Sequence, residues 1–234
     1  MKIIRQKKDL KQIINAKEIS FVPTMGSLHK GHEFLIKKAR KKKKKILVSI
    51  FVNPKQFNSR KDYLTYPRNL KKDIRTLKRL KVDYAYCPNF NDIFSFKTKN
   101  KIYLHPFSQQ LCGRFRPGHF EGVLKVVNRF LEILNPKYVF LGQKDFQQLI
   151  LIKKHISKSK ISTLIIPCQT VRLNNSLPYS SRNNNLNYKK ISLASKIIRT
   201  IQKEKKMIKK NKIKKINLTR LKEHILELGV TKLD

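Results

Sequence analysis

Cysteine is scarce in this sequence and never paired. Cys87, Cys112 and Cys168 lie far apart, with no C-x-x-C among them. That excludes a disulfide framework and a zinc ribbon, and fits a cytoplasmic thiol protein. No apolar run reaches the roughly 18–20 residues of a membrane span, so no membrane partner is expected. The start, MKIIRQKKDLKQII, lacks the apolar core of a signal peptide. No internal repeat is apparent. Acidic residues number 14 against 55 Lys and Arg, a net charge of +41. Such charge suits a polyanion partner. Lysine is nevertheless spread over the whole chain beside abundant Ile and Asn, the trio that A/T-rich codons supply. The aromatics fall in apolar strands and helices instead of interleaving a basic face. No specific nucleic-acid partner is expected.

What is present is 234 residues with 40% apolar content and 13 Phe, enough for a core in one large domain or two small ones. Residues 1–17 read as an amphipathic helix with Ile3, Ile4, Leu10, Ile13 and Ile14 near its apolar side. A strand over 18–22 ends at Pro23, which has no N–H for a ladder. A helix over 31–45 and the apolar strand 46–52 complete a βαβ unit, so the sheet is expected to be parallel. Further elements are a helix over 67–80, strands at 82–87 and 102–105, and a helix over 119–134 with a continuous apolar face. A strand at 137–141, a helix over 144–157 and a strand at 163–167 follow. Beyond about residue 174 the composition turns Asn- and Lys-rich, with helices near 188–208 and 217–229. The expected fold is α/β: a Rossmann-like doubly wound parallel sheet over 1–174, then a small, apparently truncated C-terminal α/β domain over 175–234.

In such folds ligands gather at the carboxyl ends of strands, and four strand ends here carry chemistry. After the first comes PTMGSLHKGH (23–32), where Gly26 and Gly31 allow close backbone approach and helix-start amides offer a phosphate site. His29 and His32 there are open to three readings: phosphate contacts, an ordinary turn, or metal ligands. The zincin motif H-E-x-x-H is absent, because Lys30-Gly31 separates the two histidines. After the second strand, Asn53 and Gln56 offer amides to a small polar substrate, although Asn53-Pro54 is also ordinary turn chemistry. Arg116, in RPGHF, is a bidentate clamp or a solvated cation. LGQKDFQQ (141–148) carries Gly, Lys, Asp and amides into a helix. The loop Pro178 to Asn183 is a mobile phosphate clasp or a polar hinge.

Five motifs, in one order, carry a family resemblance: PTMGSLHKGH, VSIFVNPKQF with DYLTYPR, RPGHFEGV, LGQKDFQQL and SSRN. On them the whole chain resembles the pantothenate synthetases (pantoate–β-alanine ligases) of the His-x-Gly-His nucleotidyltransferase superfamily. The resemblance implies condensation of D-pantoate with β-alanine through a pantoyl adenylate, with ATP as substrate, Mg²⁺ held mainly by ATP oxygens and water, and a homodimer. It implies an ATP loop of Met25, Gly26, Ser27, Leu28, His29, Lys30, Gly31 and His32, with His32 the proton donor. Gly142, Gln143, Lys144 and Asp145 form a second ATP segment, with Lys144 on phosphate charge. Val171 falls at the adenine, and Tyr179, Ser180, Ser181 and Arg182 in the closing loop. Asn53, Gln56, Tyr66, Arg116 and Gln148 serve pantoate and β-alanine, and no protein metal ligand is implied. Gln143 stands where the family usually has Glu, and Lys125 where it has Thr. Members usually run further, so two alternatives stand: a truncated remnant that binds ATP with little turnover, and another nucleotidyltransferase of the superfamily.

Overall fold

Six parallel strands form one sheet in the computed structural model, which describes residues 1–13, 18–211 and 218–230. They are β1 (Lys2–Ile4), β2 (Ile19–Thr24), β3 (Lys45–Ile50), β4 (Tyr84–Tyr86), β5 (Tyr138–Gly142) and β6 (Leu164–Cys168), in the order β1-β4-β3-β2-β5-β6. From β2 the chain steps outward through β3 to β4, then crosses to the other side for β5 and β6. The direction reverses between β2 and β5, the switch point where doubly wound sheets open a crevice.

Alternate residues of each strand face opposite layers. Val22, Ile46, Val48, Ala85 and Phe140 pack with Leu35, Ile36 and Ala39 of α2 (Lys30–Arg40) and Leu77 of α4 (Leu70–Arg79). Phe21, Leu47, Tyr86 and Val139 pack on the other side. There they meet Leu10 of α1 (Lys7–Ile13), Ile93 of α5 (Phe90–Phe94), α6 (His119–Leu134) and α7 (Phe146–Lys158). Phe21 touches Phe130 at 5.4 Å between ring centroids, a pairing of β2 with α6. The described residues divide into two units, Met1–Thr170 and Val171–Asp234. In the second, Arg172 and Pro178 form an antiparallel bridge ahead of α8 (Tyr188–Asn211) and α9 (Leu218–Glu227). Among the described residues this unit contains no strand. α3 (Arg60–Thr65) completes the helices.

Several expectations are corrected. Residues 1–13 are β1 and then α1, not one helix, because Lys2–Ile4 pair with Tyr84–Tyr86 and give the sheet its edge strand. Ile14 lies outside the described residues. Pro23 does not end β2, which continues to Thr24 opposite Ile50. The ladder from β2 to β5 covers only Ser20 and Phe21, so the proline lies beyond it, where no amide is required. The helix expected over 67–80 starts at Leu70, because Asn69 Oδ1 caps it by accepting from the Lys72 amide at 3.0 Å. Residues 102–105 form no strand, since the Tyr103 amide donates to His155 Nδ1 at 3.2 Å instead of to a neighbouring strand. The helix over 31–45 stops at Arg40, and Lys45 already belongs to β3.

Candidate functional site

The loop after β2 is assembled by side chains that consume its amides. Thr24 Oγ1 donates to the Ser49 carbonyl at 2.6 Å and accepts from the Gly26 amide at 3.2 Å, which ties the loop to β3. Gly26 and Ser27 take positive φ, +79° and +51°, so the chain reverses here. Asp73, buried at the start of α4, accepts from the Ser27 amide at 2.9 Å and the Leu28 amide at 2.7 Å. His29 caps α2: its Nδ1 accepts from the Gly31 amide at 3.1 Å, and His32 Nδ1 accepts from the His29 amide at 3.3 Å. Five amides between Gly26 and Gly31 are thus already bonded inside the protein. Four of these amides precede α2, and Gly31 alone belongs to its first turn, so the loop ahead of the helix has little backbone left to offer an anion.

Those donors follow from the tautomers. Each Nδ1 accepts an N–H, so the proton of each neutral ring sits on Nε2. The rings lie 4.1 Å apart and 31° from parallel. Burial, and then the Lys144 ammonium, hold His29 down to about 4. Burial, His29 and Lys144 hold His32 down to about 3. Lys144 and its ion-pair partner Asp145, 3.7 Å away, follow the end of β5. The switch point thus brings His29 and His32 from the β2 loop under the field of Lys144 and Asp145 from the β5 loop. Two neutral N–H donors beside an ammonium can meet several negative charges, and an arriving anion reverses the repulsion that keeps the imidazoles neutral.

This has a consequence for stability. His29, His32 and the buried His155, which burial also pushes below its ordinary value, have folded pKa values below those of the unfolded chain. Between about pH 6.5 and 4 the unfolded chain therefore binds protons that the folded chain refuses, and stability falls as pH falls through that window. The urea midpoint is expected to be lower at pH 5 than at pH 7.5. The double variant His29→Asn, His32→Asn should lose less on acidification, and an equal loss would sink this account.

A second cluster sits at the end of β3. In the single 3₁₀ turn Pro54–Gln56, capped by Asn53, the buried Asn53 donates through Nδ2 to the Gly122 carbonyl at 3.1 Å. Gln56 Nε2 reaches Met25 Sδ at 2.8 Å, so this amide borders the β2 loop. His119 donates through Nδ1 to the Gln56 carbonyl at 2.6 Å, and its Nε2 accepts from Arg116 at 3.1 Å. RPGHF thus connects Arg116 to Gln56. Tyr66 is buried at the end of α3 and packs edge-on against Phe57 at 5.6 Å. Of the two glutamines at the start of α7, Gln147 is bonded to the Phe107 and Gln110 carbonyls. Gln148 is half-buried on the same helix.

The assigned residues beyond Thr170 belong to the second unit. Val171 accepts from the Tyr179 amide at 3.1 Å, and Ser180 caps the 3₁₀ turn Ser181–Asn185 by accepting from the Arg182 amide at 3.3 Å. Ser181 is buried and Arg182 exposed. Among the described residues no group of three His, Cys, Asp or Glu converges to hold a metal, and no helix is long and apolar enough to cross a membrane. Asp73, His119 and Gly122 were missed as site residues. Asp73 carries no local signal because its partners lie 45 and 46 residues away. His119 and Gly122 stand inside a motif that drew attention to Arg116.

A family profile described as Pantoate-beta-alanine ligase matches residues 2–233. Pantothenate synthetases of Francisella tularensis, from subsp. novicida strain U112 and subsp. tularensis strain SCHU S4, are each 44% identical over 195 residues, 82% of this chain and 74% of theirs. A crystal structure of pantoate-beta-alanine ligase from Francisella tularensis, complexed with beta-gamma ATP and beta-alanine, superposes with a TM-score of 0.86. It is 39% identical, over 100% of this chain and 90% of that one. The pantothenate synthetase of Thermus thermophilus superposes with a TM-score of 0.85 at 30% identity, over 90% of this chain and 77% of that one.

Proposed function

The chain belongs to the pantoate–β-alanine ligase family, and from that premise we propose that it joins D-pantoate to β-alanine with consumption of ATP. The observation that carries this reading is the convergence of His29, His32 and Lys144 at the switch point of the sheet. A carboxylate is a poor acyl donor, so it must first be activated. A pantoate carboxylate oxygen attacks the ATP α-phosphorus, and the bond to the bridging oxygen breaks to release pyrophosphate. The β-alanine amine then attacks the acyl carbon and AMP leaves. The first step needs positioning and charge stabilisation more than covalent help from the protein. We assign the Nε2–H groups of His29 and His32 and the Lys144 ammonium to the phosphates, with the His32 Nε2–H donating a hydrogen bond to the leaving oxygen.

Asp145, Gly142 and Gln143 flank Lys144 in the ATP segment, and Gln143 supplies a neutral amide beside the lysine. Gln56, Asn53, Gln148, Tyr66 and Arg116 are assigned to pantoate and β-alanine, the amides pairing with hydroxyl and carboxylate groups at no charge cost. Val171, Tyr179, Ser180, Ser181 and Arg182 are assigned to ATP on the family resemblance. Mg²⁺ is assigned to the substrate on the family resemblance, entering with ATP and held mainly by ATP oxygens and water. We further propose a cytoplasmic homodimer, for which sedimentation should return the mass of two chains.

The test follows pyrophosphate release by the purified chain with Mg²⁺, ATP and D-pantoate, then AMP and pantothenate after β-alanine is added, with Lys144→Ala as control. Pantoate-dependent release that the control lacks establishes the ligase. ATP binding without release would instead support the remnant reading, which the assembled loop does not favour. Gln148→Ala should raise the pantoate KM about tenfold, the loss expected when a charged group forfeits a hydrogen bond, and leave the ATP KM near wild type. Equal losses for both substrates would remove Gln148 from the pantoate site.

A further inference from the structure

Asp73 lies on α4, in an element to which no site residue was assigned, yet the residue is only 2% exposed and its carboxylate ends beneath the β2 loop. Its two oxygens accept from consecutive amides, Ser27 at 2.9 Å and Leu28 at 2.7 Å. Charge-assisted bonds of this kind are about twice as strong as neutral ones. Ser27 bears the strain of the reversal, since it holds φ +51° with a side chain. Gly26, at φ +79°, is hemmed in from the same side: an added Cβ would stand 3.0 Å from Asp73 Oδ2 and 3.1 Å from Ile50 Cγ2. The loop then runs directly into the capping pair, His29 and His32.

We infer that Asp73 is the positioning residue of the nucleotide loop: it clamps Ser27 and Leu28 so that the two imidazoles present Nε2 to the polyphosphate in a preset register. This rests on the ligase reading above and deepens it. The clamp has a second effect. A buried carboxylate occupying two loop amides excludes phosphate oxygens from them, so the loop binds phosphate through its imidazoles and not as a backbone nest. The loop is thereby ordered before ATP arrives, and ATP binding does not carry the cost of ordering it.

The test compares Asp73→Asn with Asp83→Asn. Asp83 also accepts a backbone amide, that of Ile46 at 2.9 Å, but at the opposite end of β3. The Asp73→Asn side chain keeps the shape of the carboxylate, while its NH2 faces one of the two amides, donor against donor. For Asp73→Asn the ATP KM is expected to rise 10–100-fold and kcat to fall, with the pantoate KM within twofold of wild type. Asp83→Asn should lower the unfolding midpoint and leave both KM values alone. If Asp73→Asn loses stability as Asp83→Asn does while its ATP KM stays put, the residue is merely structural and the inference is overturned. An independent readout uses the wild-type chain without turnover: hydrogen exchange at the Ser27 and Leu28 amides. Slow exchange before ATP is added, little changed by ATP, is the expected result. Fast exchange that slows only with ATP would show that those amides bind phosphate, which also overturns the inference. Because exchange is measured without catalysis, an inactive wild-type chain would count against the ligase reading alone.

Discussion

Pyrophosphate release is expected to fall by about 10²–10³-fold in His32→Ala, the range of a lost hydrogen-bond donor to developing charge. The residue does two jobs that its ring nitrogens separate. Nδ1 accepts the His29 amide and so completes the cap of α2. Nε2 carries the proton, and burial together with His29 and Lys144 keeps the ring neutral at rest, with its pKa at about 3. Phosphate charge arriving at the site offsets the Lys144 contribution, and the Nε2–H donates a hydrogen bond to the leaving oxygen as that oxygen gains negative charge. His32→Asn distinguishes the two jobs. Its Oδ1 can still accept an amide, so the helix cap survives, but it carries no N–H where Nε2 stood. The rate should therefore stay as low as in His32→Ala while the unfolding midpoint returns toward wild type. A rate near wild type in either variant would remove His32 from the chemistry.

Gly122→Ala should cost about 1–3 kcal/mol or more of folding stability, the penalty of forcing one carbon into a filled interior, and should raise the pantoate KM as well. A Cβ at Gly122 would lie 2.1 Å from the Lys55 carbonyl oxygen, 2.6 Å from its carbon and 3.0 Å from the Gln56 amide nitrogen. All three are backbone atoms, so no side chain can swing away, and α6 must separate from the 54–56 turn. That turn carries Gln56, and Asn53 bonds to Gly122 itself. Gly118→Ala is the control: the position has φ +74° but open space around its would-be Cβ, so it costs only local backbone strain. Urea unfolding and pantoate titration of both variants decide the matter. A Gly122→Ala protein as stable as wild type would mean that α6 and the turn are not in close contact.

Much of the molecule was legible in the sequence because the signals are local. Helix α6 runs over His119–Leu134 as its apolar spacing predicts, since an amphipathic face is written every three to four residues. The βαβ order, the apolar run of β3 and the loops that bear His29, His32 and Lys144 were likewise readable one segment at a time. What tertiary structure decided involves partners distant in the chain. Lys2–Ile4 became an edge strand only because Tyr84–Tyr86 lie open beside them, and no periodicity in three residues could say so. Pro23 stayed inside β2 because the β5 ladder stops at Phe21, a property of two strands and not of one. The expected strand at 102–105 lost Tyr103 to His155, 52 residues onward. Nothing local to the loop ahead of α2 said that its Ser27 and Leu28 amides would be taken by Asp73. The sequence by itself determined which side chains reach the rim of the sheet. The tertiary structure decided which of their hydrogen bonds remain for a ligand, because a donor already paired at 2.7 Å inside the protein has nothing left to offer.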